Sequence, residues 1–131
     1  MKVAVVSEDG VKVSQHFGRA PYYVVVTVEE GQIVGSERRE KAGHHTFAAQ
    51  EHHPPRHEQH GYGVAAGAKH EQMAEVIADC DAVIAGGMGR GAYEAMQARG
   101  IRPVITDLLD LREAALQCAQ GTLPNLTERL H

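Results

Sequence analysis

The 131 residues carry a formal net charge of −4, with 43% apolar and 23% charged side chains. That balance is the one of an ordinary soluble globular domain with room for a core of its own. The acidic excess argues against non-specific nucleic-acid binding, which needs clustered Lys and Arg, and no apolar run is long enough to span a bilayer.

Lys2 to Ser7 is a valine-rich run that predicts a strand. Glu8 and Asp9 follow too soon for this start to be a secretory signal, so a cytoplasmic location is expected. Glu8-Asp9-Gly10 makes a turn. Tyr22 to Val28 is a second β-branched and aromatic run, and Gln32 to about Arg39 is a weaker third, joined to it by a hairpin at Glu29-Glu30-Gly31.

The period then changes. A helix is predicted from about Val64 to Asp79, with Met73, Val76, Ile77 and Cys80 at i, i+3, i+4 and i+7. Asp81 to Ala85 reads as a strand, followed by Gly86-Gly87-Met88-Gly89. A helix from about Arg90 to Arg99 stops at Gly100, and Arg102 to Thr106 is the last strand. Asp110 caps a third helix with the apolar stripe Leu111, Ala114, Ala115 and Cys118, and Gly121 ends it. The order is βββαβαβα: one α/β domain over residues 1–121 and a tail at 122–131. The two cysteines, Cys80 and Cys118, are far apart and form no C-x-x-C pair. They are expected as small buried residues, not as ligands of a zinc ribbon or a cysteine-bound iron–sulfur site.

Direction places the loops. With the first strand called up, the hairpin sends the second down and the third up. Each strand–helix–strand unit keeps the fourth and fifth up. Residues 8–21, 40–62, 86–90 and 106–110 therefore emerge at one edge. Ligands of open α/β sheets bind at the carboxyl ends of the parallel strands.

The segment at that edge with neither period is 40–62. Six of the nine histidines lie there: His44, His45, His52, His53, His57 and His60. Neutral imidazole is the commonest protein metal ligand and suits zinc, copper, nickel and iron. Carboxylates are sparse beside them, which disfavours magnesium and calcium. Pro54-Pro55 breaks any helix through His53, so the segment reads as a loop that closes around its ligand. The bland alternative is a solvated polar tract that takes up metal adventitiously.

A second signal is Ser14-Gln15-His16-Phe17-Gly18-Arg19-Ala20-Pro21-Tyr22. His16 is read as facing the ligand, Phe17 as the anchor of the loop in the core, Gly18 as permitting a sharp turn and Arg19 as charge for an anion. A third is Gly86-Gly87-Met88-Gly89, where glycines admit a ligand to the backbone at a helix start that favours anions. Gly87-Met88-Gly89-Arg90-Gly91-Ala92 also fits G-x-G-x-x-A, with Asp107 about twenty residues on, a partial dinucleotide fingerprint. No nucleophile elbow accompanies Ser7 or Ser14. His70 is read as a packed or surface residue, and no catalytic residue is expected.

The His16 segment, the histidine loop and Asp81-Ala82-Val83-Ile84-Ala85-Gly86-Gly87-Met88-Gly89, with Gly100-Ile101-x-Pro103-Val104 beyond, resemble the dinitrogenase iron–molybdenum cofactor biosynthesis family. That family includes NifX-type carriers and the C-terminal domain of NifB. The resemblance implies a ribonuclease H-like mixed five-stranded sheet of order 3-2-1-4-5, with strand two antiparallel and about three helices. It implies a non-catalytic carrier of an iron–molybdenum cofactor or its iron–sulfur precursor, exchanging it with metallocluster donor and acceptor proteins. His16, Phe17, Gly18, Arg19, Gly86, Gly87, Met88 and Gly89 would contact the cluster, and His16 and the loop histidines would ligate metal. Residues 44–60 are richer in histidine than the family pattern, which favours simpler ions (zinc, nickel or copper) as a second reading. A nucleotide-binding enzyme is a third.

Overall fold

The valine run at the start of the chain becomes the centre of the sheet. The computed structural model describes residues 1–41 and 70–130. The strands are β1 (Lys2–Ser7), β2 (Tyr22–Glu29), β3 (Gln32–Glu40), β4 (Ala82–Ala85) and β5 (Arg102–Ile105). Helical residues 70–76 form α1, Arg90–Ala98 form α2, Leu111–Gln120 form α3, and a 3₁₀ turn covers Thr127–Arg129. The sheet order is β3-β2-β1-β4-β5. β2 runs antiparallel to both β1 and β3, while β1, β4 and β5 are parallel, as the sequence predicts.

Helices cover both faces, which is why β1 and β4 lack polar alternation. Ala4, Val6 and Val83 face a core shared with Met73, Ile77 and Met96 of the α1 and α2 side. Val3, Val5 and Ile84 face the other core, built on Leu111, Ala114, Ala115 and Cys118 of α3. The outermost β3 is mostly exposed and carries Glu37, Arg38, Arg39 and Glu40, charges that discourage edge pairing. Its hairpin turns on Glu30 (φ 53°) and Gly31 (φ 77°), the two positive dihedrals a type I′ turn needs.

Local chemistry sets the helix ends. The Asp110 carboxylate accepts the Glu113 N–H at 3.1 Å. Gly121 ends α3 in the left-handed region at φ 78°. α1 is shorter than its pattern suggests: the helix ends at 76, and residues 77–79 form a turn. That turn is tightened by i to i−3 bonds, with Ile77, Ala78 and Cys80 donating to Ala74, Glu75 and Ile77. Asp79, freed from the helix, binds Arg39 at 2.6 Å and Lys2 at 3.0 Å, tying the turn to β3 and β1. Those two cations hold its carboxyl well below the usual range. The expected start at Val64 lies outside the described residues. No helix among those described is long and apolar enough to cross a membrane.

Candidate functional site

Three of the four segments expected at one edge meet there. The Ser14 N–H donates to Val6 at the end of β1, and the Ser14 carbonyl accepts the Gly86 N–H, each at 2.8 Å. One step on, the Phe17 N–H donates to the Gly87 carbonyl at 3.0 Å. Val13 donates to the Leu109 carbonyl, which brings in the third segment. Of the fourth, only Glu40 and Lys41 are described; Lys41 donates to the Pro21 carbonyl, so the segment departs from the same rim. His44, His45, His52, His53, His57 and His60 lie outside the described residues.

These bonds enclose a hollow of about 200 Å³ with His16 to Arg19 on one side and Gly87 to Gly89 on the other. His16 also lines a neighbouring cleft of about 410 Å³ with Glu8, Asp9 and Lys12. His16, Gly18 and Arg19 are exposed, whereas Phe17 is only 3% exposed and sits in the core beside Tyr23. Phe17 thus anchors the loop, as its sequence position suggests. Burying such a ring contributes roughly 1.5–3 kcal/mol.

The glycines divide by function. A Cβ built on Gly86 would lie 2.9 Å from the Gln15 backbone Cα, so Gly86 is required by the close approach of the loop. It does not line the hollow. Gly89 and Gly18 have nothing within 4 Å of such a Cβ. Gly18 does not occupy the left-handed region, so the sharp turn expected there does not depend on glycine. The bend is made instead by Arg19 and Ala20 donating to the His16 carbonyl, a form open to any residue. Met88 is buried in the core between its two flanking glycines.

Gly89 is also the N-cap of α2. It supplies no side-chain cap, and the first turn holds no acid. The amides there are left to attract negative charge, an effect of about 0.3–1 kcal/mol. Among the described residues, no group of three His, Cys, Asp or Glu side chains converges on a metal position. Among the described histidines, His16 lines the hollow, while His70 packs against α2, where a Cβ on Gly91 would meet its ring at 2.9 Å.

The cysteines are buried and reduced. Burial, with help from Asp79, pushes the Cys80 thiol up to about 11, and burial also raises Cys118. Neither supplies a thiolate at neutral pH. A maleimide reagent at about pH 7 is therefore expected to label neither in the folded chain and both after denaturation, read by mass spectrometry. Rapid labelling of the folded chain would contradict this burial.

Lys41 is the residue the pattern did not single out. It is only 1% exposed. Its ammonium donates to the Phe17 carbonyl and lies 4.2 Å from the Phe17 ring centroid. A lysine just past an exposed edge strand reads as solvated; contacts distant in sequence, with Phe17 and the Tyr23 ring, help to bury it. It fastens the start of the histidine segment to the back of the His16 loop.

A family model for the dinitrogenase iron-molybdenum cofactor matches residues 1–121. The chain belongs to that family. The apo form of the orange protein from Desulfovibrio gigas is 25% identical, with a TM-score of 0.64 over 95% of this chain and 91% of that one. A Methanocaldococcus jannaschii protein provisionally labelled a dinitrogenase is 13% identical, with a TM-score of 0.62 over 97% and 95% of the two chains. The latter likeness speaks for the fold alone. Among curated proteins no significant match is found. In this member of the iron-molybdenum cofactor family the His16 loop and the glycine turn are two segments of one surface feature.

Proposed function

We propose that the protein is a non-catalytic carrier that binds an assembled, anionic iron–sulfur or iron–molybdenum type cluster at this rim. The observation that carries the reading is the Phe17–Gly87 hydrogen bond, which joins an exposed imidazole and a glycine turn around one small hollow. Family membership supports a cofactor-related role. In this reading His16 and one or more of His44, His45, His52, His53, His57 and His60 ligate metal. Arg19 and the amides near Gly89 balance the charge of the cluster sulfides. The exchanging partners are cluster donor and acceptor proteins in the cytoplasm, not nucleic acid or membrane.

Magnitudes favour coordination as the main source of affinity. A micromolar complex needs about 8 kcal/mol. The helix end contributes about 1 kcal/mol at most on an exposed surface, so metal–nitrogen bonds must supply most of the rest. The scarcity of thiolates fits cargo that brings its own sulfide.

The test is anaerobic incubation with isolated cluster precursor, then counting metal and sulfide on the re-isolated chain, beside controls offered nickel or zinc alone. The carrier reading expects both iron and sulfide to stay bound. Retention of nickel or zinc with no cluster uptake would favour the second reading, ion binding through the histidine loop, for which the six histidines of residues 44–60 speak. Imidazole ligates only when neutral, and its ordinary pKa is about 6.5. Affinity is therefore expected to fall as pH drops through about 6, by up to tenfold per unit for each ligand that protonates. An affinity flat between about pH 7.5 and 5 rules out histidine ligation.

A further inference from the structure

Past Gly121, where the family match stops, the chain folds back onto the sheet instead of leaving it. Leu123 is buried in the core on the α3 side. The Asn125 side-chain oxygen accepts the Ile105 N–H at 2.9 Å, and its amide donates to the Tyr93 hydroxyl and the Pro103 carbonyl. Three of the four hydrogen bonds that asparagine can make are thus satisfied by β5 and α2. The Leu126 N–H donates to the carbonyl of Ile105, the last residue of β5, at 2.9 Å. Leu126 and Leu130 pack on the core that holds Phe17 and Met88. Leu130 forms a parallel bridge with Met88.

Met88 lies between the two glycines that wall the hollow. The glycine turn is therefore gripped twice, by Phe17 at Gly87 and by Leu130 at Met88. We propose that residues 122–130 are a strap that holds the Gly87–Gly89 turn in place, so that docking of the strap and occupancy of the hollow are coupled. The strap is suited to release: its one helical element has three residues, and most of its length is exposed. With Leu123 its one fully buried side chain and no long helix or strand of its own, it is a small unit able to open without global unfolding. Coupling of this kind is reciprocal: cargo tightens the strap, and whatever pulls the strap away loosens cargo. A partner that engages the last residues would then trigger delivery. The coupling to cargo rests on the carrier reading; the grip on the turn does not.

The test is amide hydrogen exchange on the full chain, comparing the parent with Asn125→Ala and, separately, Leu130→Ser. The Phe17 and Gly86 amides, hydrogen-bonded across the rim, report on the site. The Val5 and Val25 amides, in the centre of the sheet, report on global stability. Release of the strap is expected to speed exchange at Phe17 and Gly86 about tenfold while Val5 and Val25 keep their rates. Faster exchange at Leu126 with no change at Phe17 and Gly86 overturns the proposal, as does equal acceleration everywhere. In a second arm, loading with isolated cluster precursor is expected to slow exchange at Leu126 and Leu130. Cargo bound with Leu126 unaffected would refute the coupling. A chain that takes up no cargo overturns the carrier reading and leaves the first arm to decide on the strap.

Discussion

Gly86→Ala is expected to destabilise the protein by about 3 kcal/mol, lowering Tm by roughly 10 °C, and to displace the His16 loop. The added carbon would stand 2.7 Å from the Gln15 side-chain nitrogen and 2.9 Å from the Gln15 Cα. Gln15 is exposed and its amide can swing aside. Its Cα cannot, because the flanking Ser14 is fixed at both its amide and its carbonyl. Relief requires the loop to lift, which strains or breaks the Gly86–Ser14 and Phe17–Gly87 bonds. Each contributes about 0.5–1.5 kcal/mol, in addition to an overpacking cost of about 1–3 kcal/mol. Gly89→Ala is the control: its backbone is extended (φ −77°), and nothing lies within 4 Å of the new carbon. Thermal unfolding of the two variants decides the matter. If both lose stability equally, the close approach at Gly86 is not what demands glycine there.

His16→Ala is expected to leave folding intact and to cost at least about tenfold in cluster affinity. The His16 backbone holds the turn through its carbonyl, which accepts Arg19 and Ala20, and its N–H, which donates to the Ser14 hydroxyl. Alanine keeps all three bonds. An exposed side chain outside the core changes stability by about 0.5 kcal/mol or less when replaced. Loss of a metal ligand is more severe than loss of the outer partners that orient ligands, which already costs about 10- to 100-fold. Nickel or zinc uptake by the loop histidines should change little. Equilibrium binding of isolated cluster precursor beside nickel, on parent and variant, separates the carrier reading from ion binding by the loop. Equal cluster affinity in both proteins would remove His16 from the site. Loss of both cargo types would tie His16 to the loop histidines as one ligand set.

Much of the architecture was legible because it depends on local rules. Valine runs, a Glu-Gly turn, an Asp110 cap and a Gly121 stop each act within a few residues. Strand direction follows from connection type, so the sharing of one rim by residues 8–21 and 86–90 could be deduced before any contact was known. The site was less legible at the level of single residues. Gly86, Gly87 and Gly89 look equivalent in the sequence, yet Gly86 makes room for a loop, while Gly87 and Gly89 wall the hollow. Gly18 was read as permitting a sharp turn, but the bend there does not require glycine. Lys41 carried no signal in the sequence and is buried. In each case the deciding neighbour is far along the chain.

The sequence by itself determined the succession and direction of the strands and, through its motifs, the family, whose resemblance implied the sheet order. These follow from hydrophobic period, turn chemistry and motifs, which act locally or repeat along the chain. Only the tertiary structure decided which glycine is sterically obligatory, that Lys41 is held under Phe17, and that residues 122–130 return to Met88. Those depend on distances of a few ångströms between segments tens of residues apart, and no spacing along one chain encodes them.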